Sequence, residues 1–84
     1  MGDFKMFNRQ FYLDKIKSEI SQLEYNLQTN YSLIDDINRR CYENESDYKK
    51  ANKQRQKLHE TNKTIISRLK RLRADYKRYE RMDI

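Results

Sequence analysis

An apolar or small side chain recurs every three and then four residues from Leu13 to Tyr79, in one unbroken phase. With Leu13 counted as heptad position a, sixteen of the twenty a and d positions are apolar or aromatic. A strict seven-residue repeat drifts around a straight helix, so this phase requires a left-handed supercoil against at least one partner helix. The sequence therefore predicts an all-α protein, a long helix that forms a left-handed coiled coil.

The composition favours one extended element over a compact domain. The chain has one Gly and no Pro, so it contains few of the residues that favour tight turns. A chain of 84 residues also buries little surface alone, and oligomerisation is the usual remedy when disulfides and metals are missing. We expect an oligomer interface along the a and d seam: Leu13, Ile16, Ile20, Leu23, Leu27, Asn30, Ile34, Ile37, Cys41, Tyr48, Leu58, Asn62, Ile65, Leu69, Leu72, Tyr76 and Tyr79.

The direction and number of the partner helices stay open at this level. A parallel homodimer is favoured because every layer then meets itself, and paired asparagines at position a, as at Asn62, fix register. An antiparallel dimer centred near Ser46 would set Asn30 opposite Asn62, but would also oppose Lys17 to Arg73. A four-helix assembly is a further alternative.

A helical hairpin is the remaining alternative. The seam weakens over residues 44–57, and Asn44 to Asp47 contains residues that cap helices. Residues 1–48 carry six Lys or Arg against nine Asp or Glu, and residues 49–81 carry thirteen against three, so the two halves attract each other. The missing Gly and Pro and the preserved heptad phase favour one continuous helix instead.

The first twelve residues form a segment distinct from the coiled coil of residues 13–84. Phe4, Phe7 and Phe11 fall on one face of a helix, and that face points away from the seam. We expect either a frayed end or an aromatic patch that docks a protein partner.

A basic stripe follows the outer b and c positions of residues 49–78. Eight of these ten positions are basic, and they could bind an anionic partner such as a nucleic acid, a membrane or an acidic protein. Solubility alone is the other explanation of such a charged face. The basic residues are Lys49, Lys50, Lys57, Lys63, Lys70, Arg71, Lys77 and Arg78.

The sequence offers nothing typical of an enzyme, a metal site or a cofactor site. Cys41 and His59 are the only residues of their types, and no glycine-rich phosphate loop is present. No apolar run reaches the roughly 20 residues of a membrane-spanning helix. We therefore expect a non-enzymatic scaffold that joins chains and positions partners, or alternatively a module that binds an anionic surface. We expect it in the cytoplasm, and the sequence leaves a nuclear location open.

Overall fold

The structure, a computed structural model, describes residues 8–81, and these residues form two long helices. Helix α1 spans Arg9–Arg39 and helix α2 spans Glu45–Arg81, joined by a loop of residues 40–44. Over the described range there is no strand. The fold is therefore all-α, as the sequence predicts. Neither described helix contains an apolar stretch that could cross a membrane.

The two helices pack side by side in opposite directions, as a hairpin with extents of 66 × 22 × 15 Å. Hydrogen bonds between them pair residues in reversed order along the chain: Arg9 with Glu80, Glu19 with Arg68, Asn30 with Asn62, and Asn38 with Arg55. The hairpin thus lays the acidic half of the sequence on the basic half.

Local hydrogen bonds explain where the chain turns. Arg40 leaves the helical conformation, with φ −73° and ψ 145°, and the hydroxyl of Tyr42 donates to the carbonyl of Ile37 at 2.9 Å. Asn44 then caps α2, because its Oδ1 accepts from the backbone N–H of Asp47 at 2.8 Å. The carboxylates of Glu45 and Asp47 lie in the first turn of α2, where the helix dipole favours negative charge.

The expectation of one continuous helix is wrong for this chain. A turn has no reason to preserve heptad phase, yet the phase survives the five-residue loop. Away from the loop, the a and d residues still face a partner helix, which is now the other half of the chain. Asn44, expected at a d position of the seam, is instead the N-cap residue of α2.

We predict that Asn44→Ala lowers the free energy of unfolding by about 1 kcal/mol, because α2 loses the oxygen that caps it. In a continuous helix the same change would be stabilising, since Ala is a better helix former than Asn. Urea denaturation followed by circular dichroism measures the sign. Asn44→Ser is the control, because its hydroxyl oxygen can accept from the Asp47 N–H without placing a second carboxylate beside Asp47, and it should retain most of the stability. A gain in stability for the alanine variant would contradict the hairpin.

Candidate interaction surfaces

The predicted seam is the contact between α1 and α2, but it is only partly covered. The most buried apolar residues are Leu69, Leu72 and Ile37, with exposures of 3%, 4% and 4%. No described side chain falls below 2% exposure. The other buried seam residues are Leu13, Ile34, Asn62 and Ile65, and the half-buried ones include Ile16, Ile20, Leu23, Leu27, Asn30, Leu58, Tyr76 and Tyr79. Two helices alone therefore leave much of the seam open.

Two residues expected in the seam lie outside it. Cys41 is in the loop and exposed, and Tyr48 is 51% exposed in the first turns of α2. The ring of Tyr48 packs edge to face on Tyr42, with ring centroids 5.9 Å apart. Both seam positions fail for the same reason: the chain reverses around them, so no facing helix covers them.

The polar layer of the seam is a direct hydrogen bond between the two helices. Asn30 Nδ2 donates to Asn62 Oδ1 at 2.9 Å, and Asn62 is 3% exposed. The Nδ2 of Asn62 has no hydrogen-bond partner. A buried amide oxygen that finds its donor only in one alignment disfavours other registers of the two helices.

Two ion pairs flank the seam on opposite sides. Arg68 donates through Nε and Nη2 to Glu19 Oε2, at 2.9 and 2.8 Å. Arg73 Nη2 donates to Glu24 Oε2 at 2.6 Å. The antiparallel register was expected to oppose Lys17 to Arg73; instead Arg73 turns toward Glu24, so this register contains both the Asn30–Asn62 hydrogen bond and the two flanking ion pairs.

An apolar groove remains on the side of the hairpin that carries the Glu24–Arg73 ion pair. Its lining includes Leu27 and Tyr31 from α1 and Ile66 and Leu69 from α2, with Ile20 and Tyr76 continuing it toward the chain ends. Tyr31 and Ile66 are 49% and 45% exposed. We call this surface the open groove. The heptad pattern did not predict Tyr31 and Ile66 as interface residues, because both occupy e positions, next to the seam rather than in it.

The basic stripe lies entirely on the outer surface of α2, and all eight of its residues are exposed. Lys49 pairs with Glu45 at 3.5 Å, and Arg78 pairs with Asp75 at 3.3 Å. The other six have no ion pair with any residue that the structure describes: Lys50, Lys57, Lys63, Lys70, Arg71 and Lys77. Folding onto the acidic half therefore leaves most of the stripe unneutralised.

The aromatic segment is described only at its end. Phe4 and Phe7 lie outside the described residues, while Phe11 belongs to α1 and is 55% exposed. Phe11 packs edge to face on Tyr12, which stacks on Tyr79 at a centroid distance of 5.7 Å. The aromatic side chains at this end thus link α1 to α2, and docking of a protein here stays a prediction.

The described residues include no group of three or more acidic, His or Cys side chains that could hold a metal ion. Comparison with protein-family models, curated proteins and solved structures found no match. Among the described residues, the surfaces that offer binding contacts include the open groove and the basic stripe.

We predict that Asn30→Leu lowers the free energy of unfolding by about 1–3 kcal/mol, because Asn62 stays buried with no partner. The double variant Asn30→Leu, Asn62→Leu should be more stable than that single variant and at least as stable as the wild type. Replacing both members removes the unmet hydrogen bond and adds apolar burial.

Urea denaturation of the wild type, both single variants and the double variant, at one protein concentration, gives the coupling between the two sites. Additive effects, with no coupling, would argue against the direct Asn30–Asn62 contact.

Proposed function

We propose that this chain is a non-enzymatic scaffold module that associates with a second copy of itself and so joins and positions its partners. The observation that carries the proposal is the incomplete burial of the seam. A hairpin in which every described side chain keeps at least 2% exposure has a thin apolar core. Chains of this size are commonly stabilised by oligomerisation when they lack disulfides and metals.

The open groove is the surface that best suits the second copy. It adds the exposed Tyr31 and Ile66 to the half-buried edges of Leu27 and Tyr76, so it continues the existing core. A second hairpin laid on this side would complete a four-helix bundle. The heptad phase supports left-handed coiled-coil packing both within and between the hairpins.

Charge favours one orientation of the two copies. Along the edge of the open groove, α2 carries Lys63, Lys70 and Lys77, which have no acidic partner among the described residues. The corresponding edge of α1 carries Asp14, Ser21 and Gln28. Stacking α1 of one copy on α2 of the other keeps the two lysine rows apart.

A two-fold axis parallel to the helices produces this stacking. It places neighbouring helices antiparallel and brings both loops to the same end of the bundle. The alternative axis, perpendicular to the helices, would set α2 on α2 and place the loops at opposite ends. The proposed dimer of hairpins therefore differs from the parallel dimer of long helices that the sequence favoured.

We predict that Tyr31→Glu combined with Ile66→Glu converts the self-associated form to a monomer, because two carboxylates would be buried in the open groove. Sedimentation equilibrium between 1 and 100 micromolar is expected to show a dimer for the wild type and at least a tenfold weaker association for the variant, on the order of 1.4 kcal/mol or more.

The matched control is Tyr25→Glu combined with Leu33→Glu, which makes the same chemical changes at exposed positions outside the open groove. The control should stay dimeric. A monomeric wild type would remove the proposal, and equal weakening by both double variants would remove the open groove as its site.

The orientation gives a second prediction, through the exposed Cys41 of the loop. A short bismaleimide should link Cys41 of the two copies efficiently, because both loops lie at one end. With the loops at opposite ends, the thiols would be separated by a distance comparable to the 66 Å length of the hairpin. Denaturing electrophoresis and intact mass measure the yield; Tyr31→Glu, Ile66→Glu should abolish crosslinking, and a dimeric wild type that fails to crosslink would contradict the orientation.

A further inference from the structure

The outer face of α2 between Lys63 and Arg78 carries two cationic rows with small residues between them. On a heptad wheel, positions b and c flank position f, each about 50° away. The b row contains Lys63, Lys70 and Lys77, and the c row contains Arg71 and Arg78. Ser67 and Ala74 occupy the f positions between the rows, and all seven residues are exposed.

The spacing of the rows follows from helix geometry. A helix with its side chains is about 10–12 Å across, so extended Lys and Arg tips on the two flanks lie on the order of 12 Å apart. The rows continue for two heptads, which is about four helical turns or roughly 22 Å along the axis. This surface is a narrow ridge with charge on both shoulders and a low crest, rather than a single line of charge.

The major groove of B-form DNA has matching dimensions. It is about 12 Å wide, it admits one α-helix, and phosphates line both of its edges. A ridge with cations on both shoulders can contact the two strands at once, while small side chains at the crest avoid the floor of the groove. Of the five cations on the ridge, only Arg78 pairs with an acidic residue that the structure describes, Asp75 at 3.3 Å. Glu19 and Glu24 of α1 bind Arg68 and Arg73 on the flanks of the seam instead, so the other four cations stay unpaired within the described part of the chain.

We propose that the outer face of α2, from Lys63 to Arg78, binds in the major groove of duplex DNA through the two phosphate backbones and without sequence preference. This inference goes beyond self-association and does not depend on it. The composition of this helix favours a groove over a membrane, because helices that bind in the membrane interface carry large apolar residues toward the lipid, whereas here the apolar side of α2 packs on α1.

The test is fluorescence anisotropy of labelled 20-base-pair DNA, titrated with the full chain from 50 to 200 mM salt. Five phosphate contacts predict a slope of log K against log salt of about −4.5, from about 0.9 per contact. The variant Lys70→Gln, Arg71→Gln, Lys77→Gln, Arg78→Gln should bind at least tenfold more weakly at 50 mM salt, with a slope near −1.

The matched control is Lys15→Gln, Lys17→Gln, Arg39→Gln, Arg40→Gln, which removes the same charge from α1 and the loop. It should retain binding within about threefold, and circular dichroism should show equal helicity in all three proteins. Equal losses in both quadruple variants would mean that net charge alone drives binding, and would overturn the proposal.

Shape is tested separately from charge. Ser67→Trp combined with Ala74→Trp raises the crest without changing any charge, and should weaken duplex DNA binding at least tenfold. Double-stranded RNA of the same length should bind more weakly than DNA, because its major groove is deep and narrow. Binding to anionic phosphatidylserine vesicles but not to DNA, equal binding to both duplexes, or unchanged DNA binding by the tryptophan variant would each overturn the groove geometry.

Discussion

Two packed helices can cover only one side of each other, and the exposed apolar surface of the hairpin follows from this limit. The helices meet along Ile37, Leu69 and Leu72, which are almost covered, and the seam then opens toward the surface on both sides. Every apolar group that remains half-exposed raises the free energy of the isolated hairpin relative to an assembled one. The open groove is the consequence, and self-association is the most direct way to cover it.

The alignment of the helices comes from polar groups rather than from the apolar ones. Leu and Ile layers tolerate a shift of one helix along the other by a heptad, because each layer then meets another apolar layer. The Asn30–Asn62 hydrogen bond does not tolerate it, and the two flanking ion pairs agree with the same register. Exposed ion pairs contribute only about 0.2–1 kcal/mol each, so the buried amide carries most of the register preference.

The sequence predicted the helical content and most of the seam residues, because periodicity is a local pattern. The antiparallel dimer that it left as an alternative sets Asn30 opposite Asn62, and the hairpin contains this same pairing within one chain. The sequence did not predict the reversal of the chain. Arg40 to Asn44 contains neither Gly nor Pro, and its turn depends on the side chains of Tyr42 and Asn44 bonding to nearby backbone. Asn44 could be read as a polar d position or as an N-cap, and the heptad phase is the same in both cases.

For the same reason, the seam positions at Cys41 and Tyr48 could not be recognised as a loop and a first turn. The open groove was also beyond the sequence, because Tyr31 and Ile66 become neighbours only when α1 and α2 are side by side. By contrast, the sequence alone predicted the basic stripe. The outward positions of a helix are the same whether the helix packs on another chain or on the other half of its own chain.

The wheel positions of the two surfaces leave the centre of the cationic rows clear of the open groove. The open groove lies on the a and e side of α2 and Lys77 lines its edge, whereas Ser67 and Ala74, between the cationic rows, lie about 100° or more around the helix. In a four-helix bundle with α1 stacked on α2, the two α2 helices occupy diagonal corners and their outer faces point in opposite directions. One such dimer would therefore bind two separate DNA duplexes rather than one. Self-association through the open groove would in this way bring two duplexes together.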